Sequence, residues 1–414
     1  MLEAGLFDII VIGGGPVGSY VAGKLAGMGY SVSLLDKKAA PGVDVCCTGI
    51  IGKKCLDLFQ PPVAQISSTF SSATFVAPSG ATLNLSRPEP VAWMVDRVGL
   101  ETALVERAVK NGAQCAFGTE VIKIDSGEDH ISLRTRRLGE HSKLEGRFVV
   151  FATGYRADLL RQLNLGQIEE VAVAAQARVP TQGKRPLEIF LDQRLAPGGF
   201  GWLAPDRDGS ALVGVLARRN ARQGLGTLLE RLKKSARIRQ VDVPVDVGVI
   251  PLEPLPKTVG FRFLVVGEAA GQVKPTTGGG LYYGLLCANL AIQVLSRALR
   301  EKSSPSLLEE YEVQWRNLLS RELAMGGWAR GLWRRLDNDH IELLIRLGKR
   351  RGLQEFIASQ EDFSFDWHGA LLKQAVFAFL NGSANGTQGL LSVRSAREAG
   401  LEDMRRTIEG RSVI

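Results

Sequence analysis

The spacing of hydrophobic residues changes within the first forty residues. Ile9 to Ile12 form a continuous apolar run, which is typical of a strand buried on both faces in a parallel sheet. A glycine-rich gap and an amphipathic run of helical spacing follow it, and residues 31–35 are typical of a second strand. The pattern therefore predicts a strand–helix–strand unit at the start of the chain.

Short elements separated by glycine and proline follow this unit. A loop rich in glycine and cysteine over residues 41–52 precedes a predicted helix over residues 53–59. Residues 70–95 alternate apolar and small polar side chains around a turn at residues 78–80. This alternation predicts a hairpin at the edge of a sheet.

A third predicted helix, over residues 97–111, leads back into strands. The segments near residues 121–124 and 130–138 alternate, which indicates a small antiparallel insertion. Residues 148–152 form an apolar strand that stops at Thr153-Gly154. This small-residue turn is a second place where backbone can lie against a nucleotide.

The second half of the chain changes from strands to helices. Residues 171–249 are mostly strand-like, with one amphipathic helix over residues 224–236, and they predict a separate sheet suited to covering a pocket. The buried-strand pattern returns at residues 263–267, before a glycine-rich loop and a long helix. Beyond Pro305 the pattern is helical to about residue 380, and turns follow at residues 382–389.

These patterns predict three units. The predicted nucleotide-binding unit comprises residues 1–70, 92–160 and 258–300; the predicted substrate-binding sheet comprises residues 71–91 and 161–257; the predicted C-terminal helical region comprises residues 301–414.

Composition narrows the class of protein. The chain has 414 residues, 45% of them hydrophobic and 23% charged, which is ordinary for a globular protein. No uninterrupted apolar run reaches the roughly 18 residues of a spanning helix, so we expect a cytoplasmic protein. An odd number of cysteines without CxxC spacing indicates neither a disulfide framework nor a zinc site. The scattered histidines also predict no metal; they are His130, His141, His340 and His368.

The net charge is +8, and a cluster of basic side chains lies in the C-terminal third. Basic side chains alternate there with Trp328 and Trp333, which is compatible with anionic lipid head groups or nucleic acid. Solvated helix faces explain the same pattern equally well. One alternative is therefore peripheral membrane contact, and we expect no nucleic-acid partner. The basic residues are Arg330, Arg334, Arg335, Arg346, Lys349, Arg350 and Arg351.

The glycine-rich gap after the first strand has GxGxxG spacing. Gly13 permits the tight turn, Gly15 lets backbone approach a pyrophosphate, and Gly18 lets the helix pack close to the sheet. Asp36, at the end of the second strand, is placed to accept hydrogen bonds from a ribose. The predicted ligand is an adenine dinucleotide, either NAD(P) or FAD.

A second glycine-rich loop favours FAD. Glu268 follows a buried strand, and Gly278, Gly279 and Gly280 precede an apolar helix. An acid at a strand end can bond a ribityl hydroxyl, and a bare helix N-terminus can stabilise negative charge on a reduced flavin ring. A nicotinamide dehydrogenase has no need of this second loop.

Five motifs together resemble a known family. They are GGGPVGS at residues 13–19, Asp96-Arg97 at a helix start, ATG at 152–154, PGGFGWLAP at 197–205 and VVGEAAGQVKPTTGGGLYYGL at 265–285. This set resembles the FAD-dependent geranylgeranyl reductases, which belong to the flavoproteins with the para-hydroxybenzoate hydroxylase fold. The resemblance covers roughly residues 7–335.

The resemblance implies an α/β fold with a Rossmann-like FAD-binding domain, a mixed β-sheet substrate domain and a C-terminal helical region. It implies a reductase that saturates carbon–carbon double bonds in the isoprenoid tail of a lipid, quinone or pigment. The cofactor-binding residues that it implies are Gly13, Gly15, Pro16, Gly18, Asp36, Lys37, Cys47, Thr48, Gly49, Arg97, Val121, Ala152, Thr153, Gly154, Gly267, Glu268, Ala269, Pro275, Gly278, Gly279 and Gly280.

The chain departs from the family at two positions. Glu268 stands where the family usually has Asp, and VCCTGIIG at residues 45–52 contains two candidates, Cys46 and Cys47, for the cysteine near the flavin. An isolated alkene is a poor hydride acceptor, so a thiol or a backbone-held water is a plausible proton donor. We predict the catalytic role for Cys46 or Cys47; the alternative is that both only pack a loop beside the flavin.

The apolar substrate pocket is predicted from aromatic residues. Phe200 and Trp202 are expected to line it, with sheet core as the alternative, and one of Tyr282 and Tyr283 is expected to face the ring. NADPH and a ferredoxin-type protein both stay open as electron donors. No second nicotinamide-binding unit is visible, which favours transient docking of the donor.

Two other functions remain compatible with the sequence. A flavin monooxygenase shares the fold, because fold does not determine function. A non-catalytic prenyl-binding protein shares it without a flavin, although the intact glycine loops and Asp36 argue against that alternative. A halogenase would carry WxWxIP, and GFGWLAP keeps only the second Trp.

Overall fold

A computed structural model describes residues 5–181, 186–301, 304–350, 352–360 and 363–367. His368, the helical pattern predicted to about residue 380 beyond this range and the turns at 382–389 lie outside the described residues. The strands are β1 (Leu6–Ile12), β2 (Val32–Asp36), β3 (Ile50–Gly52), β4 (Ile66–Phe70), β5 (Ser72–Val76), β6 (Thr82–Ser86), β7 (Ala92–Val95), β8 (Gln114–Phe117), β9 (Thr119–Ser126), β10 (Ile131–Arg137), β11 (Glu140–Phe151), β12 (Val171–Pro180), β13 (Leu187–Phe190), β14 (Phe200–Pro205), β15 (Ser210–Ala217), β16 (Asp246–Pro251), β17 (Val259–Gly260) and β18 (Phe263–Val265). The α-helices are α1 (Pro16–Ala26), α2 (Lys53–Phe59), α3 (Arg97–Lys110), α4 (Ala157–Gln162), α5 (Ala221–Lys234), α6 (Leu281–Arg300), α7 (Glu309–Trp333), α8 (Asn338–Arg350) and α9 (Leu353–Ser359).

Sheet A has the strand order β17-β18-β11-β1-β2-β8, and β10 and β9 extend it beside β11. Strands β18, β11, β1, β2 and β8 run parallel, whereas β9 and β10 form the predicted antiparallel insertion. Ile9 and Val11 face one hydrophobic core, and Ile10 and Ile12 face another. The continuous apolar run of β1 is therefore explained by burial on both faces, and the predicted strand–helix–strand unit is confirmed.

Sheet B has the order β16-β12-β15-β14-β13-β5-β6. The β5–β6 hairpin lies at its edge, as predicted, and Ala77 donates a backbone hydrogen bond to Ala81 O across the turn at 2.8 Å. Side chains alternate along β15: Val213 and Val215 pack under the amphipathic helix α5, while Leu212 and Leu216 face the opposite side. This opposite side of sheet B is directed toward sheet C.

Sheet C is small, with the order β3-β7-β4. Its strand β3 occupies residues that the sequence pattern assigns to a loop ending at residue 52, so that boundary is wrong. Ile50 pairs with Met94 and Gly52 with Ala92. A three-residue strand has too few positions to show a period, and it forms here because β7 supplies its partners.

Helix α6 crosses the core of sheet A, and α7 packs against it. Helices α8 and α9 contact β6 at the edge of sheet B. In the described part of the chain, no helix combines the length and the apolar character needed to cross a bilayer.

The basic cluster of the C-terminal third is partly internal. Arg330 is buried, and its Nε donates to Glu170 Oε1 at 3.0 Å, while Arg334 Nη1 donates to the same oxygen at 3.0 Å. Trp333 Nε1 donates to Gly199 O at 3.0 Å. At these three positions α7 therefore uses its side chains to bind residues next to sheet B.

Candidate functional site

The first glycine loop leaves room for a ligand only at its centre. Gly13 has φ +109°, and a methyl group on it would lie 2.3 Å from Ala152 O. A methyl group on Gly18 would lie 1.9 Å from Gly13 O, so the loop and helix α1 require glycine at both positions. A methyl group on Gly15, at the N-cap of α1, would have no other protein atom within 4 Å. The open space therefore lies at the helix N-terminus, where a pyrophosphate would bind.

Asp36 lies at the end of β2 beside this loop. Its Oδ2 accepts a hydrogen bond from Gly14 N at 2.6 Å, and its Oδ1 accepts from Lys38 N at 2.8 Å. Two backbone donors thus hold the carboxylate at the carboxyl edge of sheet A. Lys37 is exposed next to it. This is the position expected for a ribose-binding acid.

The Val17 side chain of α1 packs against Gly267 and Gly284, which lie on either side of the second glycine loop. It lies 3.3 Å from the position of a methyl group on Gly267 and 2.8 Å from one on Gly284. Gly267 has φ +74°, which favours glycine. One elongated ligand can therefore contact both loops, although they are more than 200 positions apart in sequence.

Glu268 stands between the ATG turn and the second glycine loop. Its Oε1 accepts a hydrogen bond from Tyr155 N at 3.2 Å and lies near Gly154. Burial raises the pKa of Glu268, and the hydrogen bond from Tyr155 opposes that shift. The longer acid therefore still reaches the end of β11, where Ala152, Thr153 and Gly154 were predicted to meet the nucleotide.

The second glycine loop ends at a helix N-terminus without a side-chain cap. Gly280 is the N-cap of α6, and Gly279 is exposed. Gly278 has φ +72° and packs against Ile250 of β16. The backbone closes on Lys274, whose N–H donates to Gly279 O at 3.0 Å and whose carbonyl accepts from Gly278 N at 2.8 Å. A flat apolar group can therefore lie against backbone that no side chain covers.

Arg97 is held inside the protein close to the cysteine loop. Its side chain is 11% exposed, and its guanidinium pairs with Glu101 at 2.5 Å. Burial lowers the pKa of Arg97. The adjacent Cys47 and Glu101 raise it by a larger amount, so the net shift is upward. Its Nε has no hydrogen-bond partner among the described residues. A buried guanidinium N–H without a partner fits an anionic or carbonyl-rich cofactor.

The two cysteines face different surroundings. Cys47 contacts Arg97, whereas Cys46 lies 3.3 Å from the position of a methyl group on Gly248. Burial raises the pKa of Cys46 to about 12, and nearby acidic groups act in the same direction. Thr48 Oγ1 donates to Gln176 Oε1 at 3.3 Å, which joins the loop to sheet B.

An apolar cluster lies between sheets B and C, and we call it the interface cluster. Phe200 and Trp202 lie on it with ring centroids 6.0 Å apart, and Cys46 packs against it. Trp202 Nε1 is buried without a partner among the described residues. The buried members are Phe70, Ala92, Met94, Ala172, Ala174, Leu187, Trp202, Ala204, Leu212, Leu216 and Leu252.

Several residues predicted for the site lie in the hydrophobic cores or against α7. Val121 and Ala269 are in the core on one side of sheet A, and Pro275 packs against Gly326 of α7. Tyr283 is buried in the other core, where its hydroxyl donates to Glu322 at 3.4 Å, and Tyr282 is half-buried beside it. Their binding roles stay predictions.

Sequence reasoning missed two charged residues: Lys274 in the second glycine loop and Asp366 beside the start of α2. Lys274 lies inside the VKPTTGGG motif, so its place in a glycine loop was a usable signal. Asp366 binds the start of α2 from more than 300 positions away and shows no local signal. Among the described residues, no group of His, Cys, Asp and Glu side chains could hold a metal ion.

The fold is para-hydroxybenzoate hydroxylase-like, and its two glycine loops fit a dinucleotide such as FAD. Residues 7–197 match the family described as the FAD binding domain. A geranylgeranyl bacteriochlorophyll reductase-like protein from Thermoplasma acidophilum superposes with a TM-score of 0.79 at 20% identity, covering 90% of this chain and 96% of that one. The p-nitrophenol 4-monooxygenase of Pseudomonas putida gives 0.69 at 16% identity, covering 92% and 100%.

Proteins related in sequence cover most of this chain. The digeranylgeranylglycerophospholipid reductase of Methanocaldococcus jannaschii is 27% identical over 351 residues, which cover 82% of this chain and 90% of the relative. The protein named digeranylgeranylglycerophospholipid reductase 1 of Methanopyrus kandleri is 29% identical over 326 residues, covering 75% and 86%. The chain is therefore similar over most of its length to proteins named digeranylgeranylglycerophospholipid reductase.

Proposed function

We propose that this protein reduces carbon–carbon double bonds in the isoprenoid chains of a lipid. The observation that carries the proposal is the contact of Cys46 with the interface cluster, beside the loops that fit FAD. A prenyl chain has no polar group to recognise, so an apolar wall is the surface it requires. The names of the archaeal relatives support the same substrate class.

The reaction needs a hydride and a proton. Reduced FAD, when bound, supplies the hydride. We assign proton donation to Cys46, because its thiol faces the apolar cluster, whereas Cys47 faces Arg97. The raised pKa keeps Cys46 protonated at neutral pH, and water reprotonates the thiolate after each turnover. Trp202 and Phe200 exclude water and hold the chain.

The direct test is the mass of the lipid product. The purified holoprotein is reduced with dithionite without oxygen and incubated with a phospholipid that carries geranylgeranyl chains. We expect a gain of two hydrogens per reduced bond by mass spectrometry, and none with unreduced protein. An unchanged lipid, together with aerobic NADPH oxidation and hydroxylation of an added phenol, would establish the monooxygenase alternative instead.

Two finer parts of the proposal concern partners. We infer a separate electron donor that docks transiently, and comparing NADPH with a reduced ferredoxin as the only electron source tests its identity. We also infer peripheral membrane contact through the exposed Arg346, Lys349 and Arg350 of α8. Flotation with anionic vesicles tests it: binding that persists after replacement of all three by Gln would contradict this surface.

A further inference from the structure

The segment Phe363–Trp367 returns from the C-terminal region to the candidate site. Asp366 is almost fully buried, and its two carboxylate oxygens accept hydrogen bonds from Gly52 N at 2.9 Å and Cys55 N at 3.0 Å. These N–H groups belong to the N-cap and the first turn of α2, which have no partners within the helix. The Asp366 carboxylate therefore caps α2 and also favours its positive dipole end.

Lys274 holds the same segment from the second glycine loop. Its ammonium donates to Phe365 O at 2.7 Å and lies 4.9 Å from the centroid of the Phe365 ring. Lys274 is itself buried, and the nearby Asp366 carboxylate offsets part of the cost of burying its charge. Phe365 is thus fixed at both its backbone and its ring.

Aromatic contacts fix the two ends of the segment. Trp367 packs edge-on against Tyr283 at 5.6 Å and Tyr282 at 6.2 Å, in the first turn of α6. At the other end, the Arg87 guanidinium lies 5.2 Å from the Phe363 ring. The segment therefore joins α2, α6 and sheet B at one place.

Phe365 packs against the interface cluster, on which Cys46 and Trp202 also lie. We propose that Phe365 is a wall of the prenyl-chain site and sets the chain length that fits, with Asp366 as the residue that positions it. This inference rests on the proposed function, since it concerns the same apolar surface. It assigns part of substrate selection to a segment outside the motifs of the glycine loops.

Binding of prenyl alcohols to the oxidised holoprotein tests the inference without turnover. Farnesol, geranylgeraniol and geranylfarnesol differ by one isoprene unit each, and quenching of flavin fluorescence reports their affinity. Phe365→Ala should shift the affinity ratio of geranylfarnesol to geranylgeraniol upward by about tenfold, since it vacates the volume of a ring. Phe365→Trp should shift the same ratio downward. Phe261→Ala, at an exposed phenylalanine, should leave it unchanged.

A positioning role is tested at Gly52. A methyl group there would lie 2.3 Å from Asp366 Oδ2, so Gly52→Ala should displace the segment and reproduce the Phe365→Ala ratio. Gly226→Ala, which adds a methyl group in open space on α5, should not. Unchanged ratios in both Phe365 variants would overturn the inference. Failure of every alcohol to bind the wild-type protein would instead contradict the proposed function, so the two failures are distinguishable.

Discussion

The Asp36 carboxylate accepts a hydrogen bond from the backbone N–H of Gly14, with 2.6 Å between Oδ2 and nitrogen. This contact joins the end of β2 to the loop between β1 and α1, so the acid predicted to bind a ribose and the backbone predicted to bind the phosphates form one unit. Its second oxygen accepts from Lys38 N, and one amide oxygen cannot replace both acceptors.

The first prediction concerns this unit. Asp36→Asn should weaken FAD binding by at least about tenfold, because it removes the charge and leaves one backbone N–H without an acceptor. Reconstitution of apoprotein followed by flavin fluorescence measures the effect. Asp8→Asn is the matched control: Asp8 also accepts from a backbone N–H, that of Ser31, but at the opposite edge of sheet A. An equal loss in both variants would contradict the assignment.

Gly15 should separate cofactor binding from folding. A methyl group on Gly15 meets no protein atom within 4 Å, and the backbone there has φ −71°, so Gly15→Ala should fold normally. It should nevertheless weaken FAD binding by about tenfold or more, since the methyl group enters the pyrophosphate space. Gly18→Ala should lose both stability and FAD. Normal FAD affinity in Gly15→Ala would place the phosphates elsewhere.

The two cysteines should differ in activity and in pH dependence. Cys46→Ser should slow alkene reduction by about 100-fold with FAD still bound, and Cys47→Ser should have a smaller effect. Because burial raises the pKa of Cys46 to about 12, its thiol stays protonated and the wild-type rate should not fall between about pH 6 and 9 for lack of this proton. Wild-type rates in the double serine variant would exclude a thiol donor.

Lys274 should make stability depend on pH. Burial lowers its pKa from the ordinary 10.5 to about 8, so the unfolded chain binds this proton more tightly than the folded one. Stability linked to Lys274 therefore rises as pH increases from about 8 to 10.5. Relative to the wild type, Lys274→Met should lose this rise, by on the order of 5 °C in Tm across the window. The exposed Lys54→Met should retain it, and parallel curves for all three proteins would contradict the assignment.

Local patterns account for the parts of the site that were predicted. The Gly13-to-Gly18 spacing and the acid at Asp36 belong to one strand–helix–strand unit, so their relative positions follow from neighbouring residues. Gly280 was likewise identified as the start of a helix, because the apolar period changes there. The β5–β6 hairpin and the antiparallel insertion were predicted for the same reason.

Contacts between distant segments were not predictable. Strand β3 exists because β7 pairs with it, and Arg330 is buried because Glu170 of another segment faces it. The choice between Cys46 and Cys47 depends on which thiol faces the interface cluster, and adjacent residues in sequence carry no information about that. The Asp366 cap on α2 joins positions more than 300 residues apart.

The amino-acid sequence alone determined that strands, glycine turns and helices would form a dinucleotide-binding unit with a second, flavin-type glycine loop, because period and glycine spacing act over a few residues. Only the tertiary structure decided how the loops meet across Val17, which cysteine packs against the apolar cluster, and that Phe365 packs against it too. These depend on side chains brought together by burial of the core, and burial is non-directional, so local order cannot encode the partner of a given face.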